Sequence, residues 1–373
     1  MTSNQEDAIC SKSCFFLRSS FLWPEETPTK SFYVKFILVL LLSLLTAFLP
    51  LLIHFLILLE RGLDPSEDLF VIISYTGFTL IMTIYVINLR KMSYLIMQLS
   101  DFKKFGKPRG YDYWIKNFNL IASGVYYYVL SISFCLNLTR WVGIPECRKT
   151  RDFQVCGIVI PYWLPWKVDS WFFFILLDLY VLKMTLIVNC ALFLIIFQIL
   201  EITMHIKLRI DHLKEMLTKC FDNDSQTNEK QLVKCICYHN YIINCSNVFR
   251  QCFTYSMFSL IVAMAFSCGC LESQIVKFDL WAVPPTFAWI CLLFTACMAG
   301  QILMIASLEI GDASYHSKWY QFDVTFRKCL ILVMIRSQKA LVLSAGPFNI
   351  LCFSLFVAIM KFSYSVFLLL NQH

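Results

Sequence analysis

Charge is scarce in this chain. Only 15% of its 373 residues are charged, against 58% that are hydrophobic, where a soluble domain carries about 25% charged residues. That shortage excludes a single compact soluble domain, and the composition equally excludes disorder, collagen and coiled coil. Enzyme signatures are missing too. There is no Walker loop, no glycine-rich dinucleotide fingerprint, no His-Glu-x-x-His and no Gly-x-Ser-x-Gly, so neither an enzyme nor a cofactor is expected. No basic stripe interleaved with aromatics argues for nucleic acid as a partner. No cleavable signal is expected either. The first 33 residues are polar or mixed, and the apolar run that starts at Val34 is too long for a signal core.

What the chain has in quantity is long apolar runs. A bilayer core needs about 20 apolar residues in a helix. Seven segments qualify, over 34–59, 69–89, 119–138, 171–200, 253–271, 286–308 and 345–370. No alternating ten-residue segments recur, so helices are favoured over a β-barrel. The expected fold is an all-α membrane protein with seven transmembrane helices. Between the fourth and fifth spans, Ile206–Leu217 and Leu232–Phe249 keep helical apolar spacing. They read as extensions of those two helices beyond the bilayer.

Basic residues set the orientation. The 90–118 link holds 7 basic and 2 acidic residues, and the 60–68 turn holds 1 basic and 4 acidic. That bias places the N-terminus inside and, with seven spans, the C-terminus outside. The resulting division is a cytoplasmic N-terminal segment (1–33), spans one to four (34–200) with an outer loop at 139–170, and a cytoplasmic helical link (201–252). Spans five and six (253–308), a cytoplasmic segment (309–344) and the last span (345–373) complete it. The cytoplasmic helical extension thus belongs to spans four to seven.

Cysteine is plentiful, at 17 copies. Most sit inside apolar runs and behave as small hydrophobes. Cys147 and Cys156 fall in the long outer loop. They form a candidate disulfide, although spacing alone does not show the geometry. Cys235-Ile236-Cys237-Tyr238-His239 lacks a second ligand pair nearby and reads as helix interior, so no metal is expected. The sequon Asn137-Leu138-Thr139 abuts the third span and is expected to stay largely unused.

The C-terminal third carries Ser307-Leu308-Glu309 followed by Tyr315-His316-Ser317-Lys318-Trp319-Tyr320, then Met334 to Lys339, then Leu343-Ser344-Ala345-Gly346-Pro347-Phe348. In these stretches the chain resembles the insect odorant receptor family. The ending Lys361-Phe362-Ser363-Tyr364-Ser365-Val366-Phe367-Leu368-Leu369-Leu370 is similar to the family's last helix. Pro161-Tyr162-Trp163-Leu164-Pro165-Trp166 resembles its outer-loop aromatic segment. Leu308 stands where the family has glycine, and Ser363 stands where gustatory relatives have threonine.

This resemblance implies an odorant-gated, non-selective cation channel subunit in the plasma membrane of olfactory sensory neurons. It would form a heterotetramer with the odorant co-receptor subunit (Orco), with the last helix lining a central pore. Its partners would be a small volatile odorant, permeant cations and membrane lipid. A metabotropic seven-helix chemoreceptor, with its N-terminus outside, or a gustatory-type receptor channel would be the alternatives.

Residue roles follow from the same resemblance. Met360, Ser363, Phe367 and Asn371 are spaced by 3, 4 and 4, so they share one helical face. The resemblance turns that face toward the pore, with Phe367 as gate. An apolar odorant site with a few polar handles is expected among Tyr75, Phe78, Ser131, Phe134, Phe174, Tyr180 and Met264. Trp319, Tyr320, Phe322 and Phe326 recur near helical spacing without a bilayer-length run, and are the expected subunit interface.

Overall fold

The computed structural model describes residues 9–25, 28–145, 147, 154–166, 168, 170–219, 225–317, 319–321, 323–347 and 349–371. Its helices are α1 (Ser11–Ser19), α2 (Lys30–Ser43), α3 (Leu49–Glu60), α4 (Ser66–Ile87), α5 (Leu89–Ser100) and α6 (Tyr111–Val142). The long helices α7 (Trp171–Lys219), α8 (Ser225–Val276) and α9 (Val283–Tyr315) follow, then α10 (Val324–Ser337) and α11 (Phe353–Leu370). Among the described residues, seven helical stretches are long and apolar enough to cross a membrane. The end that carries residues 90–118 is called the inner end below.

The first crossing is one rod with a flaw in it. Between α2 and α3, Leu44–Phe48 forms a π-turn, and the Leu49 N–H reaches back five residues to the Leu44 carbonyl. Pro50 explains the flaw, because it offers no N–H to the carbonyl of Thr46, four residues earlier. Such bulges concentrate at functional positions.

α7 forms the centre. Over Ala191–Ile202 almost every side chain is buried on all sides, as expected of a helix that is apolar all round. At 49 and 52 residues, α7 and α8 far exceed the 20 or so residues that a bilayer needs. They continue unbroken past the inner end of the spans. There Arg209 is buried and Nη2 donates to the carbonyls of Leu99 (2.7 Å) and Asp101 (3.0 Å). These oxygens close the C-terminus of α5, whose dipole stabilises a cation. Lys214 ties α7 to α9 through Glu309 at 2.7 Å.

α4 and α8 approach closely. A Cβ on Gly77 would stand 2.4 Å from that of Ala263, and the hydroxyls of Ser74 and Ser267 pair at 3.1 Å. Small residues and hydroxyls are the usual means of joining helices in lipid.

Two sequence expectations change. The span expected from 345 begins at Phe353. Before it, Ser344–Ala345 and Asn349–Ile350 form a two-stranded antiparallel hairpin, with Ala345 opposite Asn349. Gly346 takes φ +70° and Pro347 has no N–H to give a helix. The third span also runs longer than 119–138, to Val142.

At the outer end, Arg140 of α6 bonds Glu67 of α4 at 2.5 Å, and its guanidinium lies 4.1 Å over the ring of Trp281. Three separate outer segments are thereby held together.

Candidate functional site

The π-turn of the first crossing collects polar groups from three other segments. Tyr75 of α4 donates its hydroxyl to Ser43 Oγ at 2.9 Å, while Ser43 Oγ donates to the Leu40 carbonyl at 2.8 Å. Thr46 Oγ1 donates to the Leu42 carbonyl at 2.8 Å, so its proton is committed. Tyr180 of α7, whose hydroxyl is 2.5 Å from Thr46 Oγ1, is therefore the donor in that pair. The carbonyl of Thr46 accepts from the hydroxyl of Tyr162. Phe48 completes the cluster by stacking on Tyr75 at 5.2 Å.

Geometry sets the depth of this cluster. Tyr75 and Tyr180 each lie nine residues from the outer end of their helix, or about 14 Å along the axis. Tyr162 reaches them from the loop. Cys147 and Cys156 are joined by a disulfide with Cα atoms 5.8 Å apart, and the Val155 N–H bonds the Tyr162 carbonyl at 3.0 Å. Together these ties hold residues 154–162 against the cluster. An apolar cap of Ile158, Tyr162, Phe174 and Val181 sits above it, with Tyr180 packed against the cap.

Each of the three phenol protons points at a protein oxygen. Each phenol oxygen therefore keeps accepting capacity. The arrangement offers aromatic faces plus hydrogen-bond acceptors, and suits an apolar molecule that carries one donor.

Of the expected ligand residues, Tyr75, Phe174 and Tyr180 meet at this place. The others do not. Ser131 is exposed and spends its hydroxyl on the carbonyls of Tyr127 and Tyr128. Phe134, three residues on, is also exposed, so both face away from the bundle. Phe78 stacks on Trp289 of α9 at 5.1 Å, and Met264 is fully buried in the main core. Ser43, Thr46, Phe48 and Tyr162 were not anticipated. Pro50 inside an apolar run, with Thr46 four residues before it, was the available signal.

The last helix is phased differently from expectation. Ser363 is fully buried, and its hydroxyl lies 2.9 Å from the Met360 carbonyl and 3.5 Å from Glu272 Oε1 of α8. Asn371 Oδ1 accepts from Ser273 of α8 at 3.1 Å. A Cβ on Gly269 would collide with Val366. The face expected to line a pore is thus the seam with α8, with Met360 and Phe367 half-buried on its flank. Val357, Lys361, Tyr364 and Leu368 lie opposite, at spacings of 4, 3 and 4, and are all exposed.

At the inner end, Phe326 is turned into its own core and cannot present itself to another subunit. Tyr320 is exposed and Trp319 is half-buried against the core. Phe322 lies outside the described residues. The open apolar face of α10 is instead Val324, Ile331, Leu332 and Ile335.

Comparison with known proteins follows this geometry. The profile of the family described as 7tm Odorant receptor matches residues 64–364. Odorant receptor 85b of Drosophila melanogaster is 25% identical over 261 residues, which are 64% of this chain and 62% of that protein. Odorant receptor 85c of the same organism is 22% identical over 351 residues, 84% of this chain and 86% of that protein. The chain spans about half the length of several curated relatives it matches, from 36% to 62% in four of them. The solved structure of the insect olfactory receptor OR5 from Machilis hrabei in complex with eugenol superposes with a TM-score of 0.77 at 16% identity, over 97% of each chain.

Proposed function

Since this chain belongs to the insect odorant receptor family, we propose that it is an odorant receptor, the ligand-binding subunit of an odorant-gated cation channel. It sits in the plasma membrane of olfactory sensory neurons with its N-terminus inside. The observation that carries the ligand half is the convergence of Tyr75, Tyr162 and Tyr180 on the turn at 43–48. With their protons committed inward, these phenols select a small volatile with an apolar body and one hydroxyl donor. Eugenol, named with the OR5 structure, belongs to that chemical class. Binding beside the π-turn loosens or tightens the pairing of the first crossing with α4 and α7. Ligand drives the channel only through its preference for the open arrangement.

The channel half concerns α11. Its exposed stripe of Val357, Lys361, Tyr364 and Leu368 has no cover among the described residues, and a charged side chain on a span is costly against lipid. Facing an aqueous pore shared with co-receptor subunits removes that cost. In this role Leu368 and Val357 form apolar rings, and Lys361 tunes cation flux electrostatically. The open face of α10 supplies the intersubunit contact at the inner end.

Whole-cell recording tests both halves. With the co-receptor present, hydroxyl-bearing volatiles should evoke fast currents that persist when G-protein turnover is blocked. Their methyl ethers should evoke clearly less. A current that depends on G-protein turnover would overturn the channel reading, and equal responses to hydroxyl and ether would overturn the ligand class.

A further inference from the structure

Two openings lie in line along one seam, where α4 and its continuation α5 pack against α8. The first is a groove of about 300 Å³ between α4 and α8, lined by Ile72, Thr76, Leu80, Phe258, Val262 and Phe266 among others. Apart from the hydroxyls of Thr76 and Ser259, which bond back to the carbonyls of Ile72 and Tyr255, this lining is hydrocarbon and aromatic. The second is a cavity of about 380 Å³ between α5 and α8, lined by Tyr94, Gln98, Tyr241, Asn244, Asn247 and Gln251 among others. Amide and phenol groups make up most of that lining, with Leu95, Cys245 and Val248 as its apolar part. From Gln251 to Phe258 is seven residues of α8, about 10 Å. Exposed Ile87 and Tyr255 occupy the interval.

Polarity along the seam therefore changes in the order in which a leaflet changes, from hydrocarbon to headgroup. The change falls where α4 gives way to α5 at Asn88. Lys91 adds charge at that boundary. It precedes Tyr94 by three residues and Gln98 by seven, so it shares their face of α5. It is exposed and close enough to α8 for its charge to act on Cys252. Arg90 is exposed next to it.

We propose that this seam is a binding site for one acidic phospholipid of the leaflet at the inner end. An acyl chain lies in the groove over Leu80, Phe258 and Val262. The ester and glycerol oxygens meet the amides of the cavity, and Lys91 pairs with the phosphate and the acidic headgroup. A zwitterionic lipid would also fill the groove, but its own ammonium offsets its phosphate and leaves Lys91 no net negative charge to pair with. The site is distinct from the tyrosine cluster and lies on the helix that also holds α11. A lipid seated here lies beside the last helix, because Phe266 of the groove also packs on Phe362 of α11 at 5.8 Å.

The test is lipid retention by the purified full-length chain. Wild type and two variants at exposed positions, Lys91→Glu and Leu80→Trp, are equilibrated with vesicles of phosphatidylcholine containing a minority of phosphatidylserine. Retained lipid is counted by native mass spectrometry from detergent. Wild type should keep one phosphatidylserine per chain. Lys91→Glu should lower that retention by about fivefold or more, with phosphatidylcholine unchanged. Leu80→Trp, which fills the groove, should lower retention of both. Monodisperse elution of each variant checks that it is folded. Equal phosphatidylserine retention in wild type and Lys91→Glu would overturn the site. Loss in Lys91→Glu with no effect of Leu80→Trp would mean that a solute occupies the cavity alone, and would overturn the lipid. The count is blind to which side the N-terminus faces and to whether the chain gates a current.

Discussion

Asn137 donates its side-chain amide to Asp178 across 2.9 Å, and both residues are buried. Trp141 Nε1 meets the other carboxylate oxygen at 3.2 Å. The nitrogen that a glycan would need is therefore engaged inside the bundle. Endoglycosidase treatment should produce no mobility shift that Asn137→Gln removes. Asp178→Ala strands two donors and should cost about 1–3 kcal/mol, read as a lower melting temperature of the purified chain. A glycan found on Asn137 would show that α6 and α7 are not paired in this way.

Pocket and pore should separate by mutation. Tyr75→Phe and Tyr180→Phe each remove one hydroxyl acceptor and should weaken responses to hydroxyl-bearing odorants by about tenfold, with single-channel conductance unchanged. Lys361→Gln should raise cation conductance and leave the ranking of odorants alone. Paired single-channel recordings check both. If Lys361→Gln reorders odorants at constant conductance, the exposed stripe of α11 does not face the pore.

Gly300 leaves no room for growth. A Cβ there would stand 2.2 Å from the Leu351 carbonyl oxygen, which is backbone and cannot swing away. Gly300→Ala should destabilise the chain by about 1–3 kcal/mol and lower surface expression. Gly124→Ala, with nothing within 4 Å, is the matched control and should be near neutral.

Burial, aided by the positive charge of Arg336, pushes His239 down to about 4. It lies on the part of α8 beyond the spans. The unfolded chain takes up its proton near pH 6.5, and the folded chain does so only near pH 4. Stability is therefore full above about 6.5 and falls as pH drops through that window, by about 3 kcal/mol over the whole of it. Melting the purified chain across that range should show the slope, and His239→Gln should flatten it.

Orientation can be read with tags. An epitope at Met1 should stain only after permeabilisation, and one at His373 should stain on intact cells, in keeping with the basic 90–118 link. The reverse pattern would invert the assignment and place the lipid seam in the other leaflet.

The spans were legible because mean hydropathy over 20 residues is a property of the chain alone. Helix phase was not. The spacing of Met360, Ser363, Phe367 and Asn371 identified a common face, but a hydroxyl suits a wet pore and a helix seam equally well. What decided it was Gly269 on α8, whose missing side chain receives Val366. That fact lives on another segment 97 residues away. Phe326 carries the same lesson, since an aromatic at helical spacing reads alike whether it faces its own core or a neighbour. Tyr75 and Tyr180 were found as aromatics with polar tips. Their meeting point was not, because it depends on a defect that Pro50 imposes on a different helix.

The uninterrupted length of α7 has a mechanical consequence. Its 49 residues form a stiff bar about 70 Å long, with Tyr180 near one tip and Arg209 and Lys214 near the other. A pivot of only about 3° at the outer tip sweeps the far tip through about 4 Å, close to the width of a water molecule plus a bare cation. Displacements too small to notice among the phenols become, by leverage alone, strokes large enough to re-seat the segments clamped to Arg209 and Lys214.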